Sequence, residues 1–281
     1  MVLPFSALSY SRRHLVHLWL QAVIHFGRLR RRLHRFYWAN YWRLRWEGIR
    51  LGRWAATGTS VDSRQISGGD IGSQVAVVYI NLDRRPDRNS EILSEFSALG
   101  IDNPIRFSAF DGQKLSLIDA PVGSLPSLGC AMSHTGVLEQ VDSEERAIMV
   151  CEDDLEFIAA ADEVFRIITE FLRDPRLDVL CLGSNVSDKP ISVSKDLSIS
   201  QSLSTTSCYV VKNPSVQLLR ESFAESVQMF LEGKKVEVAS IDQHWKKLQR
   251  TKLIFAFPTK RIARQRRSIS DITGGLEDRG V

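Results

Sequence analysis

The stretch from Ala147 to Asp154, AIMVCEDD, constrains this chain more than any other. Its apolar half is short, bulky and partly β-branched, the signature of a buried strand. Three carboxylates follow at once, where such a strand would leave its sheet. Adjacent acids repel each other, and three at a strand end call for a compensating cation. Hard divalent ions such as Mn²⁺ or Mg²⁺ take oxygen ligands: one or two carboxylates together with substrate phosphates and water. In α/β sheets, ligands bind beyond the carboxyl ends of the strands. The stretch therefore reads as a metal–diphosphate site, with a solvated acidic turn before the next helix as the open alternative.

The rest of the body alternates strand and helix. Val75–Ile80 is a buried strand by composition, and a helix is predicted from about Asn89 to Leu99, ended by Gly100. A strand candidate surrounds Pro104–Phe110, a helix spans Leu128–Val141, and the strand into Glu152 comes next. Asp162–Leu172 is predicted helical, Leu177–Leu182 and Ser207–Val211 as strands, Pro214–Phe223 and Asp242–Leu248 as helices, and Leu253–Phe257 as the closing strand. Alternation of this kind predicts an α/β fold with a mostly parallel sheet flanked by helices.

The net charge of +4 is unevenly distributed. Residues 1–72 carry twelve arginines and no lysine against Glu47, Asp62 and Asp70, and they hold five of the six tryptophans. Within 13–46, Leu15, Leu18, Trp19, Ala22, Phe26, Leu29, Leu33, Phe36 and Tyr37 share one face at about 100° per residue. Arg13, Arg28, Arg31, Arg32 and Arg35 share the other. An arm at 1–56 of this kind suits an anionic membrane surface. Packing on the body or on another subunit, and nucleic-acid binding, are the alternatives, nucleic acid the least favoured. Its least polar run, broken by His17, Gln21 and His25, is too short and polar to span a bilayer, and no signal-peptide cleavage site follows. A cytoplasmic protein, peripheral on the membrane face, is expected. Residues 57–74 are small, polar and rich in Gly and Ser, a flexible linker before a body at 75–272 and a tail at 273–281. The four cysteines, Cys130, Cys151, Cys181 and Cys208, are widely spaced and read as neither a CxxC pair nor a Cys/His ligand set, so zinc is not expected.

Asn81, Asp83, Arg84 and Arg88 cluster just past the first strand, where polar groups can hold a base, a ribose or a diphosphate. Neither GxGxxG nor GxxxxGK[ST] occurs. A helix cap by Asp83 or Asp87 with surface arginines is the plainer reading of that cluster. Ser133 and His134, adjacent on a helix, point in different directions, and no GxSxG elbow exists, so a hydrolase triad is not expected. A polar histidine facing the sheet end is.

Taken in order, INLDRRPDR (80–88), FSAFDG (107–112), LGCAMSHTGVLEQ (128–140), AIMVCEDD (147–154), the strand containing Tyr209 and SIDQHW (240–245) resemble glycosyltransferase family 25. The resemblance covers about 75–272. It implies a GT-A-like fold and an inverting transfer of a hexose, galactose foremost, from a UDP-sugar to a glycan or lipid-linked saccharide, as in lipopolysaccharide biosynthesis. It further implies Mn²⁺ or Mg²⁺ at Glu152, Asp153 and Asp154, with Asp154 the direct ligand and His244 an auxiliary one. Asp242 becomes the candidate base for the acceptor hydroxyl, with a helix cap as its plainer role. Asn81, Asp83, Arg84, Arg88 and Asp111 would line the nucleotide pocket, with Ser133 and His134 beside the donor sugar. Gln265 and Ser268–Asp271 resemble the family's closing pattern. A nucleotidyltransferase and a non-catalytic nucleotide-sugar binder are the rival readings.

Overall fold

A computed structural model describes residues 74–115, 124–140, 146–269 and 276–277. The arm at 1–56 and all of the linker except Gln74 lie outside the described residues.

The apolar run Val75–Asn81 forms β1. It pairs in parallel with β2 (Ile105–Ser108) on one side and β3 (Ala147–Glu152) on the other, with Val78 opposite both Ile105 and Val150. Beyond β3 the main sheet continues with β8 (Leu203–Lys212), β5 (Val179–Val186), β9 (Phe255–Pro258), β7 (Leu197–Ser200) and β6 (Ile191–Ser192). Only β8 and β7 run against the common direction. This is the mostly parallel α/β sheet that the sequence predicts. β7 and β6 were not anticipated: their short runs lie in a stretch rich in Ser, Asp and Lys that reads as loop.

Four longer helices cover the sheet: α1 (Pro86–Leu99), α2 (Ser124–Gln140), α3 (Ala161–Arg173) and α4 (Asn213–Leu231). α1 starts three residues before the predicted Asn89, because proline is favoured in a first turn that leaves N–H groups unpaired. It stops at Gly100, whose φ of 74° suits glycine. α4 outruns the predicted Phe223 because Ser226 and Phe230 continue its buried stripe. Strand alternation sorts the helices between two faces. Val78, Ile80, Ile148, Val150, Tyr209 and Val211 share a buried cluster with Leu128 and Val137 of α2 and Leu219 and Phe223 of α4. On the opposite face Tyr79 meets Phe96 of α1 at 5.7 Å, and Lys212 Nζ lies 4.6 Å above the Phe171 ring of α3. No helix among the described residues is long and apolar enough to cross a membrane.

The helix predicted over 242–248 is present as two short helices broken at Trp245, α6 (Ile241–His244) and α7 (Lys246–Thr251), preceded by α5 (Val236–Ala239). They are pinned by Trp245, which is fully buried among Tyr209, Phe223 and Phe255 at ring distances of 5.8, 6.2 and 5.2 Å. Its Nε1 donates to Leu203 O at 3.0 Å. Gln249, also buried, both donates to Leu203 O and accepts from Leu203 N at 2.8 Å. The start of β8 is thereby fixed to the segment carrying Asp242. Finally, β4 (Leu155–Phe157) and β10 (Ala263–Gln265) pair antiparallel outside the main sheet, and this ribbon brings Gln265 and Arg266 back over the end of β3.

Candidate active site

A cavity of about 650 Å³ opens beyond the carboxyl ends of β1 and β3, of a size that holds a small-molecule ligand. Glu152, Asp153 and Asp154 all line it, but their side chains diverge. Glu152 closes β3 and turns toward α2 and β8, accepting from Thr206 Oγ1 at 2.8 Å. Asp153 turns into the protein, accepting from Asn81 Nδ2 at 2.8 Å and Arg88 Nη1 at 3.1 Å. Asp154 faces β10, with Gln265 Nε2 at 3.5 Å from both of its oxygens and Arg88 Nη1 at 3.5 Å from one.

Asn81 and Arg88 are buried struts of this end of the sheet. Asn81 Nδ2 also donates to Arg85 O at 3.0 Å, and its Oδ1 accepts from Arg106 Nη2 at 2.8 Å. Arg88 reaches the cavity wall, whereas Asn81 lies behind it. Asp83 lies outside the cavity, exposed, held by Arg106 and Ser108 at 2.8 and 2.9 Å. The Arg106 and Ser108 hydrogen bonds hold its carboxyl below the usual carboxylate range. Neither Asp83 nor Asp87 caps α1, whose N-cap Arg85 makes no side-chain cap. Arg84 and Asp111 do line the cavity and pair at 3.0 Å near its rim.

The turn carrying Asp111 is held against α2 by two glycines. A Cβ on Gly129 would stand 2.5 Å from Phe110 O and 2.8 Å from Gly112 N, and one on Gly112 2.2 Å from Leu125 O. Glycine is required at both positions by close backbone approach. One turn beyond Gly129, Ser133 Oγ donates to Gly129 O at 2.7 Å and accepts from Phe110 N at 2.9 Å. It lines the cavity with that hydroxyl already engaged. His134 is fully buried, with Nδ1 3.2 Å from Tyr209 Oη and Nε2 3.3 Å from Glu152 Oε1.

Asp242 lines the cavity together with Ile241 and Gln243, while the buried Ile241 and Trp245, four apart, anchor its turn to the core. It is no N-cap. Its Oδ2 accepts from Gln243 Nε2 at 3.2 Å and from Thr205 N at 3.4 Å. Thr205 adopts φ 81°, a strained value for a β-branched residue, within β8 where its pairing with β5 shifts register, and the next residue, Thr206, donates to Glu152. His244 is not brought to the carboxylates. It turns to α4, with Ser222 Oγ at 3.0 Å and Glu225 Oε2 at 3.5 Å, and is absent from the cavity lining. Thr205 and Thr206 line the wall without belonging to any residue set singled out from the sequence, and Cys130, counted there only among the cysteines and within the 128–140 stretch, lines it too.

Burial, then repulsion from Glu152, raises the Asp154 carboxyl to about 7. Burial raises Asp153 as well, against the pull of Arg88. Three carboxylates lie close together here, and of the other cations at the wall Arg84 pairs with Asp111 at 3.0 Å and Arg266 binds Glu95 at 2.6 Å. Asp154, an oxygen donor whose charge is penalised where it stands, fits a hard divalent cation. The inward-turned Asp153 fits a strut.

A family model described as glycosyltransferase family 25 (LPS biosynthesis protein) matches residues 75–227. A glycosyltransferase 25 family member of Aedes aegypti is 33% identical over 99 residues, covering 29% of this chain and 16% of the relative. One from Anopheles gambiae is 31% identical over 99 residues, covering 29% and 17%. The matches thus span less than a fifth of those relatives' length. Among solved structures, a glycosyltransferase involved in glycosylation of the major capsid of PBCV-1 aligns over 56% of this chain and 66% of its own (TM-score 0.33, 9% identity). Mouse xyloside xylosyltransferase 1 aligns over 61% and 67% (TM-score 0.35, 9% identity). Structural likenesses this slight carry no argument about the site. The family match covers more than half of the sequence, from β1 into α4, and takes in the carboxylates, His134 and Asp111: the chain belongs to glycosyltransferase family 25.

Proposed function

We propose that this chain transfers a hexose, galactose foremost, from a UDP-sugar to a saccharide or lipid-linked glycan hydroxyl with inversion. The observation that carries the reading is Asp154, a cavity-facing carboxylate raised to about 7 in a family 25 chain. Asp154 would hold a divalent ion, Mn²⁺ or Mg²⁺. Such an ion, when bound, supplies charge neutralisation for a leaving nucleoside diphosphate. The chain's own residues do the rest. Asp153, paired to Arg88 and Asn81, keeps the end of β3 in place. Arg84 and Asp111 flank the nucleotide at the rim. Asp242, on the segment fixed by Trp245, accepts the proton of the acceptor hydroxyl as the bond to the sugar forms.

Donor hydrolysis tests this. A panel of UDP-, GDP- and CMP-sugars is incubated with the purified full chain, with Mn²⁺, Mg²⁺ or EDTA. Metal-dependent release of UDP from one sugar, reduced at least about 100-fold in Asp154→Asn, is the expected result. Absence of nucleotide binding under every condition would sink the assignment. The basic arm at 1–56, set off by the linker at 57–74, is proposed to hold the enzyme at an anionic cytoplasmic membrane face, supported by its arginine and tryptophan content. Flotation with anionic vesicles, compared between the full chain and one lacking 1–72, checks it: equal flotation would refute the role.

A further inference from the structure

Cys130, His134 and Glu152 bring a thiol, an imidazole and a carboxylate to one point of the cavity wall. Four residues apart on α2, Cys130 and His134 share a helix face, and Glu152 meets them from the last position of β3. The three potential ligand atoms all lie within 4.8 Å of one another. We propose that these side chains bind a borderline-soft divalent transition ion, zinc by preference, with one coordination position open to the cavity.

The donor set selects the ion. Thiolate and imidazole favour zinc over the hard ions that suit Asp154, and three protein ligands with an open fourth place is the pattern of a reactive site. Bonds of about 2.0–2.3 Å in a tetrahedron set ligand atoms roughly 3.3–3.8 Å apart, so the three need to close by about 1 Å. His134 Nε2 and Glu152 Oε1 already stand at 3.3 Å. The outer partners that orient metal ligands are in place as well. Tyr209 Oη engages His134 Nδ1 at 3.2 Å, Thr206 Oγ1 donates to Glu152 Oε1 at 2.8 Å, and the imidazole lies between the Tyr209 and Phe223 rings at 5.7 and 6.0 Å. All three ligands line the cavity, which gives the ion its route in. Binding replaces the Cys130 thiol proton, released to solvent, by a sulfur–metal bond and uses the neutral imidazole through Nε2. The site shares no ligand with the ion proposed at Asp154, so it does not rest on the transferase reading.

Cobalt titration of the chelator-stripped full chain, kept reduced, reads the site directly. One equivalent of Co²⁺ is expected to give a thiolate-to-cobalt charge-transfer band that Zn²⁺ displaces and Mg²⁺ does not. Cys130→Ser, at a half-buried position, abolishes the band. Thr206→Val keeps all three ligands and the band while weakening zinc binding about 10-fold. Asp154→Asn keeps the band although donor hydrolysis is lost, which separates this site from the diphosphate site. A wild-type protein without the band overturns the proposal. So does a band that survives in Cys130→Ser, which would move the ion to the buried Cys151–Cys208 pair, whose sulfurs are 3.4 Å apart.

Discussion

Arg88 and Asp153, sixty-five positions apart in sequence, form an ion pair of 3.1 Å at the base of the cavity with both residues more than nine-tenths buried. The middle acid of the acidic triplet is thus committed to the architecture. Removing one member of such a pair strands the other's charge. Arg88→Met is expected to cost about 3–5 kcal/mol of stability, most of which returns when Asp153→Leu is added. Urea unfolding of the single and double variants measures this; equal stabilities for the two would contradict it.

Asp154 behaves oppositely. Its folded-state carboxyl titrates at about 7, against about 3.9 in an unfolded chain, so the folded protein holds the proton more tightly. That contribution is full below the unfolded value and declines as pH rises toward 7, where it reaches a penalty of at most about 4 kcal/mol. In metal-free protein the melting temperature should fall across this window, and Asp154→Asn should remove much of the fall. Added Mg²⁺ or Mn²⁺ at neutral pH should raise the wild-type melting temperature and leave the variant unmoved at this site. Superimposable pH profiles would rule the account out.

Gly129 and Gly183 give a matched test of close approach. Gly129→Ala drives a methyl into the backbone of Phe110 and Gly112 and is expected to cost about 1–3 kcal/mol and to weaken nucleotide binding by displacing Asp111. At Gly183 the nearest atom to an added Cβ is 3.8 Å away, so Gly183→Ala should stay within about 0.5 kcal/mol of wild type. Thermal melts and UDP titration report both.

Asp242 and His244 sit two residues apart and face different environments. Asp242→Asn should reduce transfer to an acceptor by about 10²–10⁴-fold while UDP affinity holds. His244→Gln, at the α4 contact, should change neither. Loss of transfer in His244→Gln with Asp242→Asn fully active would reverse the assignment.

The sheet was readable because β-branched runs such as Val75–Ile80 and Ala147–Val150 obey a local rule, burial on both faces. β6 and β7 were not readable, since their pairing depends on β9 rather than on their own residues. The acidic triplet was recognised as a strand end, yet chain adjacency does not tell where side chains point once the strand has ended: Asp153 went inward and Asp154 toward β10. Asp83, grouped with Arg84 by sequence, lies outside the cavity because Arg106 holds it there. The ligand role proposed for Cys130 is hidden in the sequence for a related reason. A C-x-x-x-H pair gains meaning only when the helix carrying it is known to abut Glu152, a contact between segments that spacing within one segment does not reveal.

The ribbon of β4 and β10 also sets a timetable. Asp154 receives Gln265 only after 111 further residues have been added to the chain, and one residue later the backbone N–H of Arg266, which donates to Asp154 O at 2.6 Å. A nascent chain that has emerged only as far as Thr259 holds all the described strands of the main sheet while lacking this cover. In that intermediate Asp154 would lack part of the burial that raises its carboxyl, and would give up its proton more readily. Docking of β10, rather than collapse of the core, would then be the moment at which the site acquires its unusual acidity.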